Sequence, residues 1–78
     1  MYLSVTAVRP LENYKLELMF ENAEKRVFDV TPYLDTGVFA KLKDKTVFAR
    51  VKVSLDSIEW PEGIDLDPEV LYMDSCPA

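Results

Sequence analysis

Histidine is absent from this chain, and cysteine occurs once, at Cys76. Without histidine the chain lacks the commonest general base and the commonest metal ligand. A lone cysteine cannot close an internal disulfide, which excludes a small secreted domain held by staples. Glycine is confined to Gly37 and Gly63, so no glycine-rich loop exists to cradle phosphate. No apolar run is long enough for a transmembrane helix. Bases are missing altogether after Lys52. The segment from Met1 to Val8 has neither the basic start nor the apolar length of a signal peptide, and Tyr2 excludes myristoylation. Cys76-Pro77-Ala78 is one residue short of a prenylation box, and the expected location is the cytoplasm.

What is present is 78 residues, 49% hydrophobic and 29% charged, with a net charge of −5. That length allows one small domain, spanning residues 1–78. The composition is too apolar for disorder. The charge is unevenly spread. Residues 1–55 carry all nine bases and seven acids, a net +2, whereas residues 56–78 carry seven acids and no base, a net −7. Lys41, Lys43, Lys45, Arg50 and Lys52 fall within twelve residues. Three readings fit: solvated faces, an acidic tail lying against its own basic neighbour, or a bipolar surface that orients a partner.

Periodicity assigns elements. Residues 3–9 suit a first strand with Leu3, Val5 and Ala7 on one side. Tyr14, Leu16, Leu18 and Phe20 alternate with Lys15, Glu17 and Met19, a half-buried strand. Glu21-Asn22-Ala23-Glu24 reads as a turn and Lys25 to Val30 as the returning strand of a hairpin. Thr31-Pro32 reads as a cap and first helical position, opening a short turn. Asp35 or Thr36 caps a short helix from Gly37 to Lys43 that buries Val38, Phe39 and Leu42, with the lysines at its negative pole. From Thr46 to Ser54, Val47, Ala49, Val51 and Val53 form one strand face, with Phe48, Arg50 and Lys52 opposite. Ile58-Glu59-Trp60 is a short last strand, and Trp60-Pro61-Glu62-Gly63 fits a type I turn. Asp67 caps a helical turn begun by Pro68, Val70 and Leu71 close the core, and residues 75–78 fray. The expected fold is α+β: a mainly antiparallel sheet of about five strands, one short helix after the third strand and a short C-terminal helical turn.

The stretch Trp60-Pro61-Glu62-Gly63-Ile64-Asp65-Leu66-Asp67-Pro68-Glu69-Val70-Leu71-Tyr72 resembles the C-terminal signature of the prokaryotic domain-of-unknown-function family DUF2442. That signature is a tryptophan-proline-x-glycine turn, an acidic pair, a proline and a leucine-tyrosine, here Trp60, Pro61, Gly63, Asp65, Asp67, Pro68, Leu71 and Tyr72. Val8-Arg9-Pro10-Leu11, Val27-Phe28-Asp29-Val30 and Gly37-Val38-Phe39 agree with it in kind. Glu62 stands where the family usually has asparagine, and Ala23 where it usually has glycine. The resemblance implies a compact α+β domain of bacteria and some archaea, found alone or joined to a helix-turn-helix domain. It also implies a gene that often sits beside another small uncharacterised protein, in the manner of a toxin–antitoxin pair. It supplies no catalytic residues.

The residues themselves point the same way. Asp65, Asp67 and Glu69 alternate as the ligands of a hard cation would, but Pro68 interrupts them and helix capping accounts for two of the three. Cys76 has no histidine to activate it. Phe48 among five bases resembles a small stacking platform, yet the acidic third of the chain opposes phosphate, which disfavours direct nucleic-acid binding. The expectation is therefore a non-enzymatic protein-interaction module with no cofactor, metal or membrane partner. It would be an adapter or antitoxin-like partner of another small protein, encoded by a neighbouring gene, or a homodimer formed through a sheet edge. The candidate surface is Lys41, Lys43, Lys45, Phe48, Arg50, Lys52, Asp65 and Asp67, with Met19 as a further apolar residue off the core pattern. The alternative is an accessory part of a transcriptional regulator that contacts DNA through another chain.

Overall fold

The computed structural model describes residues 3–78. Met1 and Tyr2, on which part of the N-terminal reading rests, lie outside the described residues. Seven strands and two short α-helices are seen among those described: β1 (Val5–Leu11), β2 (Lys15–Phe20), β3 (Lys25–Asp29), α1 (Lys45–Phe48), β4 (Lys52–Ser54), β5 (Ser57–Trp60), β6 (Ile64–Leu66), α2 (Pro68–Met73) and β7 (Cys76–Pro77). The strands make two antiparallel sheets, ordered β1-β2-β3-β7 and β4-β5-β6. The domain is thus α+β in its broad class, but with two sheets in place of one.

The β2–β3 hairpin forms where alternation places it. Leu16, Leu18 and Phe20 are fully buried, and Phe28 faces them from β3. Its four-residue loop closes with Ala23 N–H donating to the Phe20 carbonyl, and Ala23 takes φ +67°. That geometry favours glycine, and the Asn22 side chain supports the loop by accepting from the Glu24 amide at 3.0 Å. In β1 the register slips between Val5 and Ala7. This bulge buries Val5 and leaves Ala7 exposed, off the face expected of it.

The centre of the chain departs most from its alternation. Lys45–Phe48 is a helix, because Asp44 caps it by accepting from the Thr46 amide at 2.9 Å. Phe48 therefore points inward, 4% exposed, and the strand begins only at Lys52. Its ring meets Tyr14 edge-on at 5.3 Å and lies 6.1 Å from Trp60. Before it, Gly37–Lys43 winds as a 3-10 helix, whose three-residue repeat buries Leu42, half-buries Phe39 and exposes Val38. At Thr31–Tyr33 the side chain that closes the turn is Asp29, which accepts from the Thr31 amide and hydroxyl, so Thr31 is not the cap.

Trp60 ends β5 completely buried, its indole N–H donating to the Phe48 carbonyl at 3.0 Å. Glu62 then takes φ +70°, which excludes a type I turn. Asp67 caps α2 through the Glu69 amide at 2.8 Å with Pro68 at the first turn, and Leu71 is fully buried. Residues 75–78 do not fray. Cys76 and Pro77 pair with Val27 and Arg26, Ala78 N–H donates to the Lys25 carbonyl, and Ser75 is buried.

Candidate interaction surface

The basic cluster of the sequence is dispersed by the fold. Lys41 pairs with Glu62 at 2.9 Å and Lys43 with Asp35 at 2.7 Å. Lys45 stands apart, on a groove of about 440 Å³ lined also by Pro10, Glu12 and Tyr14. Phe48 is a core residue that only floors this groove. Met19 is half-buried on β2, paired with Ala7 of β1 on one side and Lys25 of β3 on the other.

Arg50, Lys52, Asp65 and Asp67, by contrast, come together around the β4-β5-β6 sheet. Alternation turns Ile58, Trp60 and Ile64 to the core, so Lys52, Glu59 and Asp65 face outward. Register aligns these three in one row across the strands, Lys52 opposite Glu59 and Glu59 opposite Asp65. On one side of the row a groove of about 450 Å³ is lined by Arg50, Lys52, Glu59, Pro61 and Glu62. On the other, a groove of about 390 Å³ is lined by Ser54, Leu55, Glu59, Asp65, Asp67 and Pro68. Among the described residues, Arg50, Lys52, Glu59 and Asp65 form no ion pair. The face therefore runs from positive to negative across about 10 Å, two strand spacings. Asp65, Asp67 and Glu69 do not line up as alternating ligands, because the chain turns into α2 at Asp67, whose carboxylate is spent on the cap.

The tip of the β4–β5 hairpin borders the acidic groove at the end of this face. Its two-residue turn is Leu55-Asp56, with φ +48° and +70°, and Leu55 is 95% exposed. Leucine at such a position costs about 1–2 kcal/mol over glycine or asparagine.

A second cluster, around Arg26, has no signal in the local sequence. Its guanidinium donates to Ser75 Oγ and the Ser75 carbonyl at 2.6 Å each and to Glu24 at 2.5 Å, and lies 4.5 Å over the Tyr72 ring. The Tyr72 hydroxyl donates to the same glutamate at 2.8 Å. Ser75 lies 49 positions from Arg26, so only the fold reveals this clasp. Its role is structural: it ties β7 and the end of α2 to the β2–β3 hairpin.

A family model described as "Protein of unknown function (DUF2442)" matches residues 5–75. The chain belongs to the DUF2442 family. No curated protein and no solved structure matched it. In this DUF2442 domain, Trp60, Leu71 and Tyr72 hold the core and the clasp, and Pro61, Gly63 and Pro68 shape turns. Asp65 alone of these signature residues projects from the open sheet face. Among the described residues, no helix is long and apolar enough to cross a membrane.

Hydrogen bonds to carboxylates set the domain's response to acid. Arg26, then Tyr72 and Asn22, hold the Glu24 carboxyl below its usual range. Thr31 does the same for Asp29, Lys43 for Asp35 and the Ser4 amide for Glu21. In each case the unfolded chain binds protons more readily, so stability is present above the ordinary carboxylate range and is lost as pH falls through the lowered values. Thermal melts are expected to hold level between about pH 6 and 8 and to drop below about pH 4.5, modestly, since water screens these groups. Tyr33, raised chiefly by burial, and Tyr72, raised chiefly by Glu24, act oppositely, and stability falls again above pH 10.0.

Proposed function

We propose that this domain is a cytoplasmic protein-interaction module, an adapter or antitoxin-like partner of another small protein, with the outer face of β4-β5-β6 as its docking surface. The observation that carries this reading is Leu55: a large apolar side chain, almost wholly exposed, held in a backbone conformation that works against the stability of the fold. Strain of this kind persists where a contact benefits from it. Beside it lie two grooves of unequal charge, one lined by two bases and two acids and the other by three acids and no base, which select the orientation of a partner rather than supply reactive groups.

The test is co-expression with the product of the neighbouring gene, followed by affinity purification. The parent chain is expected to retain that product. Leu55→Asn removes the apolar tip and suits the left-handed turn, so it should raise the melting temperature by about 5 °C, for about 1 kcal/mol gained. The same substitution should abolish retention. A parent chain that stays alone beside its neighbour, or an unchanged yield with Leu55→Asn, overturns the proposal.

A further inference from the structure

Resting on that reading, we infer that, when no other small protein holds it, the same face pairs with a second copy of the chain, about a two-fold axis running parallel to β5 in the plane of contact. The row Lys52–Glu59–Asp65 has one cation and one anion at equal distances on either side of Glu59. A two-fold axis along the central strand turns one face onto the other and exchanges left for right. Each Lys52 then meets Asp65 of the other copy, twice over. An axis across the strands would set Lys52 against Lys52 and Asp65 against Asp65, so charge selects between the two arrangements.

The apolar tip fits the same geometry. Rotation about β5 preserves position along the strands, so the Leu55 tip comes over the other copy's groove wall at Pro68, a half-buried apolar residue. Two contacts oppose the pairing. Glu59 lies on the axis facing its own image, and each copy has a net charge of −5. At about 0.1 M salt the screening length is about 10 Å, which weakens repulsion between whole bodies more than attraction between groups in contact. The pair is consequently at the small end of protein interfaces, reversible and sensitive to salt.

Sedimentation at about 0.1 M salt, with protein up to about 1 mM, reads the association directly. The parent chain is expected to form dimers that dissociate in about 1 M salt. Lys52→Glu and Asp65→Lys should each weaken the dimer at least about tenfold by making two like-charge contacts. The double variant restores both pairs with reversed sign and should return within about threefold of the parent, while Glu59→Gln should tighten it. Circular dichroism of each variant checks that the fold is kept. A parent chain that remains monomeric, or a double variant no tighter than the single ones, overturns the inference. A monomer that still retains its neighbour's product overturns self-pairing while leaving the interaction module standing.

Discussion

Trp60→Ala is expected to remove about 3–5 kcal/mol of stability, bringing the domain close to unfolding at room temperature with a urea midpoint far below the parent's. Marginal stability at about 0.05–0.15 kcal/mol per residue gives a domain of this length about 4–12 kcal/mol. Removing a fully buried tryptophan costs about 3–5 kcal/mol, because the lost burial is joined by the cavity left behind. Here the indole also supplies a hydrogen bond that links β5 to the end of α1, through the Phe48 carbonyl. Trp60→Phe separates these contributions. It keeps an aromatic ring in the site but loses the N–H, and it should fold with about 1–3 kcal/mol less stability in a urea titration. A Trp60→Ala chain with the parent's midpoint would show that the two sheets are held together elsewhere.

Arg26→Ala should be damaging for a residue outside the apolar core, and it should act locally as well as globally. A guanidinium only 13% exposed is fixed by two bonds to Ser75, one to Glu24 and a stack on Tyr72. Cutting it away leaves Glu24 without its cation and is expected to cost about 2–4 kcal/mol. Its signature in hydrogen exchange is loss of protection at the Ala78 amide, which bonds to Lys25 across the β3–β7 seam. Arg26→Lys should recover little, since an ammonium cannot reproduce the flat fork that reaches the Ser75 side chain and carbonyl together. Protection of residues 76–78 that survives Arg26→Ala would place the hold on β7 in the strand pairing alone.

These two residues mark how far the sequence can be read. Trp60 was legible: an isolated tryptophan in an alternating stretch before a proline-glycine turn has few places to go but inward. The β2–β3 hairpin and the Asp67-Pro68 cap were legible for the same reason, since periodicity and capping act within a few residues. Phe48 was misread because Val47, Ala49, Val51 and Val53 alternate by coincidence. The Asp44 cap, which decides for a helix, offers a single hydrogen bond as its signal. Arg26 was not legible at all, since it resembles any strand-borne base until Ser75 is brought back to it. The candidate site was half legible. The bipolar charge could be counted along the chain, but which charges share a face depends on register. Register assigns Lys52 and Asp65 to the sheet face, with Arg50 and Asp67 on the grooves beside it, while Lys41 pairs with Glu62 at the edge of the Arg50 groove and Lys43 pairs with Asp35.

Left-handed turns at residues other than glycine recur through the described chain: Asn13, Tyr14, Ala23, Leu55, Asp56 and Glu62 all have positive φ. These loops connect β1 to β2, β2 to β3, β4 to β5 and β5 to β6. Each hairpin thus closes over a turn that resists closing, so none is a good nucleus by itself. The folding barrier should accordingly be set by contacts distant in sequence, Trp60 with Phe48 and Tyr72 with Phe20 of β2, rather than by early hairpins. Relaxing a turn residue should chiefly slow unfolding and leave the folding rate nearly unchanged.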